Sequence, residues 1–249
     1  MDLFKCSLTL FPSQSLTNRE KEQQEAIWEL FSTEYNYLNN LSTCVKTFLN
    51  CLRKLKHEKF LSDINVEDLF LNIELIYEIN LKFWKDCLEP CLIEARQTQN
   101  PLNPHLITEG YICDDRFYPY LEYCLKHQER IIYLDSKMKK QNDFKEYISW
   151  CENQLRSTTR LGLKDMLVKP FQRITKYPLL FKCILKKTQD EDTSTALKSM
   201  VSYKIRTLDK SVIFKHALEK YTFYSSHTGE KLYSTPYHFI KLRIFQYFR

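Results

Sequence analysis

The residues best suited to chemistry lie in LVKPFQRITKYPLLF, residues 167–181, where Gln172, Arg173 and Lys176 lie three, four and seven positions after Lys169. On a helix this spacing puts them on one face. Two ammonium groups, a guanidinium and a carboxamide can donate charge-assisted hydrogen bonds to a partner's carboxylates or carbonyls. They offer no nucleophile and no general base. Taken alone, such a stripe is more often a solvated face than an interface. Two carboxylates stand out as well. Glu34 falls inside an apolar seam, where it needs a structural hydrogen bond or ion pair from a neighbouring helix, whereas Glu29 points to the open side.

Covalent chemistry has no candidates. The chain contains no G-x-x-x-x-G-K-[ST], G-x-G-x-x-G, H-E-x-x-H or G-x-S-x-G sequence. His127 stands alone on an amphipathic segment, where a satisfied structural histidine is the commoner case. The nine cysteines are scattered without a C-x-x-C pair, so buried reduced thiols are expected and neither a metal nor a cofactor is. HTGEKLY, residues 227–233, is like a linker between zinc fingers, but no cysteine follows Cys183 to build a finger after it.

The elements that must position these groups read as helices. Three glycines in 249 residues are too few for a sheet with tight turns. Thr17 and Glu20 form a capping-box pattern, and a helix over about 19–57 follows, with the seam Ile27, Phe31, Leu38, Leu41, Val45, Phe48, Leu52 and Leu55. Residues 66–92 predict a second helix closing near Pro90, with QTQNPLNPH as a loop after it. Amphipathic segments at 117–138 and from Asn142 predict two more. Phe171, Ile174, Phe181 and Leu185 predict a helix over about 164–188, with Pro170 in its first turn and Pro178 bending it. A last helix is predicted from about Ala196 to Tyr221, with caps offered by Thr193 to Thr195. The fold class is all-α, an elongated helical bundle.

Charge divides the chain further. Residues 201–249 hold nine Lys/Arg and three Asp/Glu, a surplus of six that equals the net charge of the whole chain, so the first two hundred residues are neutral. The helical body therefore lacks the basic footprint of a nucleic-acid module, and no nucleic-acid partner is expected. The expected organisation is a leader over 1–18, a folded domain over 19–210 and a basic, aromatic-rich tail over 211–249. Weak contact with anionic membrane is expected through that tail. No apolar run reaches the roughly 18 residues that span a bilayer. A cytoplasmic protein, peripheral at membranes at most, is the expectation.

Three blocks carry a resemblance. ELFSTEYNYLNNL (29–41), LFLNIELIYEINLKFWKDCLE (69–89) and LKDMLVKPFQRITKYPLLF (163–181) resemble, in order and spacing, the three conserved regions of the Dbl-homology domain of Rho guanine nucleotide exchange factors. The likeness covers about residues 19–200 and looks nearest to the pleckstrin-homology-and-RhoGEF family G. Asn80 stands where that family usually has a histidine. The resemblance implies an exchange factor that grips switch I and switch II of a Rho-family small GTPase of Rho, Rac or Cdc42 type. It implies GTPase-binding roles for Glu29 and Thr33 in the first block and for Val168, Gln172, Arg173 and Lys176 in the third, Arg173 in a supporting part. Leu208 falls near the place of a last-helix asparagine, which MVSYKIRTLD lacks. The residues beyond Val201 are too few for a pleckstrin-homology domain of about 100 residues, so a form without it is expected. A helical GTPase-binding scaffold with weak or no exchange activity is the alternative.

Overall fold

The computed structural model describes residues 16–109, 117–156 and 159–209, without side-chain detail at 109 and 202–209. The predicted leader up to Ser15 and the tail from Lys210 lie outside the described residues. Among the described residues every regular element is helical.

The first helix starts where its sequence says. Thr17 Oγ1 accepts the Glu20 N–H at 3.3 Å, and the Glu20 carboxylate returns to the Thr17 N–H at 2.7 Å. α1 (Asn18–Thr43) runs through a π-helical segment (Cys44–Leu49) into α2 (Asn50–His57). At 1.5 Å per residue this rod is about 60 Å long, which makes the bundle elongated. Its buried seam runs from Ile27 and Leu30 through Phe31, Leu38 and Leu41 to Phe48 and Leu52. Each such side chain contributes about 1.5–3 kcal/mol by leaving water.

The second predicted helix is broken. α3 (Val66–Phe70) is capped by Asn65, whose side chain accepts from the Glu67 and Asp68 N–H groups, and it ends at Leu71, where φ is 49°. α4 (Ile73–Phe83) continues through a second π-helical segment (Trp84–Leu88) into α5 (Glu89–Thr98). Pro90 therefore lies within this continuous helical run, directly after the π-helical segment, rather than closing a helix. The expected loop holds α6 (Pro104–Glu109), whose start is capped by Asn103 Oδ1 on the His105 N–H. The segment from Phe117 divides at Lys126 into α7 (Pro119–Leu125) and α8 (His127–Lys140), and α9 (Asn142–Leu155) follows as predicted.

α10 (Leu163–Lys187) carries the site stripe. It begins well before Pro170, so both prolines are internal, contrary to the first-turn placement. The Pro170 ring crowds the carbonyl one turn back, and beside it the Leu167 carbonyl takes two side-chain donors, Tyr123 OH at 2.8 Å and Arg130 Nη2 at 3.3 Å. α11 (Glu191–Asp209) starts earlier than predicted because Asp190, not a threonine, caps it, its carboxylate accepting the Thr193 N–H at 2.7 Å. The extension to Tyr221 lies outside the described residues.

α1 and α10 make the most extensive helix pairing, and α10 also packs against α11. Their pairs fix an antiparallel register: Arg19 Nε donates to the Lys187 carbonyl, Glu29 meets Lys176, and Thr33 meets Arg173. The first and third sequence blocks are thereby laid side by side.

Candidate functional site

Glu29 and Lys176, 147 positions apart in sequence, meet across the α1–α10 seam, with Lys176 Nζ 3.0 Å from Glu29 Oε1. Their side chains are 52% and 41% exposed respectively, so both sit on the surface. Val168, Gln172 and Lys176 follow one another on α10 at intervals of four, all half-buried, and Thr33 lies one turn beyond Glu29 on α1. The result is a shallow polar rim on a rigid two-helix floor.

Arg173 leaves this surface. Its side chain is only 4% exposed, and its guanidinium points inward between α10 and α1. Nε donates to Glu34 Oε2 at 2.8 Å, and Nη2 contacts the same oxygen. Tyr177 OH reaches Oε2 at 2.7 Å. The seam carboxylate thus has the ion pair its sequence position required, while its Oε1 is buried without a hydrogen-bond partner among the described residues. Burial works against the charge of Arg173, but Glu34, and Tyr177 after it, hold the guanidinium's pKa above the ordinary value. Its ring neighbours are Tyr177 and Tyr37, at 4.5 and 5.9 Å from Cζ.

The buried cluster is wired to the surface through one hydroxyl. Arg173 Nη1 donates to Thr33 Oγ1 at 2.8 Å, and Thr33 Oγ1 donates in turn to the Glu29 carbonyl at 2.6 Å. The backbone that carries the exposed Glu29 carboxylate is therefore tied to the interior.

Sequence reading missed the other half of the cluster. Tyr177 OH lies 2.8 Å from Asn80 Oδ1; Asn80 Nδ2 donates to the Ile76 carbonyl and, at 2.7 Å, to Tyr120 OH; Tyr120 OH is 2.8 Å from Tyr37 OH. The available signal was Asn80 itself, a carboxamide in the row Ile76, Asn80, Phe83 that otherwise points into the core. Burial raises the pKa values of Tyr37, Tyr120 and Tyr177, and the negative charge of Glu34 adds to the effect. These hydroxyls are neutral donors and acceptors.

His127 is a core residue, stacked on Phe171 with ring centroids 5.7 Å apart. Its Nδ1 lies 2.7 Å from Arg130 Nη2, and a guanidinium only donates, so Nδ1 carries the lone pair and the proton sits on Nε2. Burial, reinforced by the Arg130 charge, pushes its pKa down to about 3. Leu208 lies on α11, and its side chain is outside the described residues.

The RhoGEF domain family matches residues 26–212. Mouse pleckstrin homology domain-containing family G member 5 is 37% identical over 190 residues, 76% of this chain and 18% of that protein. Human family G member 7 is 32% identical over 209 residues, 82% of this chain and 30% of that protein. The chain thus spans less than a third of the length of these relatives. Among solved structures, the DH/PH domains of p115-RhoGEF superpose with a TM-score of 0.71 at 19% identity, covering 85% of this chain and 56% of that one. The DH/PH fragment of PDZRHOGEF, solved in complex with human RhoA, gives 0.65 at 22%, covering 83% and 56%. Likenesses at this identity speak to the fold.

Proposed function

Because the chain belongs to the RhoGEF domain family, we propose that it is a guanine nucleotide exchange factor for a Rho-family small GTPase, holding the nucleotide-free state by engaging switch I and switch II. The observation that carries this reading is the meeting of Glu29 and Lys176 on one exposed face. In it Glu29 engages switch I, Gln172 and Lys176 engage switch II, and Val168 and Thr33 line the rim. Arg173 positions Glu29 from within rather than touching the partner.

Nucleotide and Mg²⁺ order the switches of such a GTPase, and a surface that binds the nucleotide-free arrangement better lowers the barrier to release. A thousandfold acceleration needs about 4 kcal/mol of differential binding. Two or three charge-assisted hydrogen bonds at about 1.5–3 kcal/mol each supply it. The Glu29–Lys176 ion pair of the free chain must open on docking. A pair this exposed is worth only about 0–1 kcal/mol, so it orients both groups without locking them.

Release of a fluorescent nucleotide from Rho-, Rac- and Cdc42-type GTPases tests the reading. At least one should respond, and Glu29→Ala or Lys176→Ala should each slow exchange about 10- to 100-fold, the equivalent of one lost charge-assisted bond. The exchanged pair Glu29→Lys with Lys176→Glu restores the intramolecular ion pair but presents the wrong charges, and should remain inactive. Full activity in that double variant would reject the assigned surface.

A second reading, a GTPase-binding scaffold with weak or no exchange, is favoured by one observation: residues 200–209 contain no asparagine. Binding of nucleotide-depleted GTPase without accelerated release from any of the three types would establish it. The proposed cytoplasmic protein would meet anionic membrane weakly through its basic tail, and sedimentation with anionic vesicles, with and without residues 222–249, tests that separately.

A further inference from the structure

Cys44, Phe48 and Cys51 share one face of the first rod at spacings of four and three, and Tyr147 and Cys151 lie one turn apart on α9, which crosses that face. Two contacts fix the crossing. Tyr147 OH donates to the Phe48 carbonyl at 2.7 Å, and Cys151 Sγ lies 3.8 Å from the Thr47 carbonyl. Thr47 is one helical turn before Cys51, so the Cys151 thiol lies beside the turn that carries Cys51, and the two thiols are near enough to influence each other. Both cysteines are reduced; Cys151 is buried and Cys51 is partly exposed.

We propose that Cys51 and Cys151 form a reversible disulfide site, closed by a peroxide oxidant, that staples α9 to the α1–α2 rod. Both cysteines sit on helices rather than loops, the Cys151 sulfur is held against the rod's backbone, and Cys51 is partly exposed while Cys151 is buried. That is the arrangement of an attacked cysteine and its resolving partner.

The chemistry balances. The Cys51 thiolate attacks one peroxide oxygen, the O–O bond breaks, and the departing hydroxide leaves as water after taking up the proton that Cys51 released. The Cys151 sulfur then attacks the Cys51 sulfenic acid, the S–S bond forms, the S–O bond breaks, and the second hydroxide leaves as water with the Cys151 proton. Each sulfur is oxidised by one electron relative to its thiol, and peroxide is reduced to two waters. Burial pushes the Cys151 thiol up to about 12. It is protonated at neutral pH, so the first attack belongs to Cys51 and the resolving step is slow.

Neighbouring buried cysteines also occur simply as small apolar packing groups, and one experiment separates the two cases. The full chain is treated with hydrogen peroxide, its remaining thiols are alkylated, and it is digested without reductant for mass spectrometry. The expected product is a peptide pair joined through Cys51 and Cys151, lighter by two hydrogens and reopened by dithiothreitol. Closing a loop of this length should raise the melting temperature by several degrees. Cys51→Ser and Cys151→Ser should each abolish both effects; if one of them folds poorly, the other suffices. The proposal is overturned if Cys51 and Cys151 are both recovered alkylated after the exposed Cys183 has been consumed. It fails equally if Cys51 stops at sulfinic acid or joins a different cysteine.

Discussion

At the residue scale, Arg173 and Glu34 show how a site residue and a core residue can be the same side chain. Removing one member of a buried, hydrogen-bonded ion pair leaves the other charge stranded, so Arg173→Ala should destabilise the chain by about 3–5 kcal/mol. Replacing both, as Glu34→Leu with Arg173→Met, should recover most of that stability in a denaturant titration, because the pair's net worth is small once both charges are gone. Exchange activity should not recover with it, since the hydroxyl relay from Arg173 through Thr33 to Glu29 is then cut. A double variant as unstable as Arg173→Ala would refute the account. His127 makes a pH prediction. Its folded pKa, about 3, lies below the ordinary value near 6.5, so its contribution is complete above about pH 6.5 and falls away as pH drops toward 3. Wild type should lose up to about 1.4 kcal/mol per pH unit across that window relative to His127→Gln. Parallel stability profiles between pH 7 and 5 would show that the buried imidazole is not the cause.

At the element scale, helix ends decide the details. α2 closes in a Schellman turn: the Lys59 N–H bonds the Lys56 carbonyl at 3.0 Å, the Phe60 N–H bonds the Leu55 carbonyl at 2.8 Å, and Lys59 adopts φ 68°. Glycine is the usual residue there because a side chain disfavours the left-handed region by about 1–2 kcal/mol. Lys59→Gly should therefore raise stability by about 0.5–1 kcal/mol, seen as a higher urea midpoint at unchanged slope; a lowered midpoint would mean the lysine makes a contact that outweighs its backbone strain. The same logic explains what was legible in the sequence. The Thr17–Glu20 box is local, and α1 begins where it says. The cap of α11 is also local, but Asp190 competed with Thr193, Ser194 and Thr195, which look equally suitable on paper. Pro170 was misplaced because α10 begins seven residues before it, and the surroundings of that turn, Tyr123 and Arg130 on α7 and α8 meeting the Leu167 carbonyl, come from distant sequence. No window around a proline reveals its distant neighbours.

At the scale of the whole molecule, the apolar seams announced a bundle, but only the register of α1 against α10 shows that Glu29 faces Lys176 and that Glu34 faces Arg173. That register is held in part by tyrosine hydroxyls, and they carry a last prediction. Tyr37 on α1, Tyr120 and Tyr123 on α7, Tyr147 on α9 and Tyr177 on α10 are all interior, and burial raises the pKa of each. Tyr37, Tyr120 and Tyr177 join Asn80 in one network across α1, α4, α7 and α10, while Tyr147 closes separately on the Phe48 carbonyl and Tyr123 on the Leu167 carbonyl. A phenol with a raised folded pKa stabilises fully below the unfolded value of about 10, and its contribution is lost as pH climbs above it. Five such groups together remove up to about 7 kcal/mol per pH unit once the unfolded phenols ionise. A domain stability of about 5–15 kcal/mol would be exhausted within one or two pH units above 10. Helical circular dichroism and tyrosinate absorbance should accordingly change together in one steep alkaline step, with few tyrosines ionising before it. If the interior phenols instead titrated gradually while the helices persisted, water would already reach them in the folded chain, and the sealed network between α1 and α10 would not be what holds the exchange surface in place.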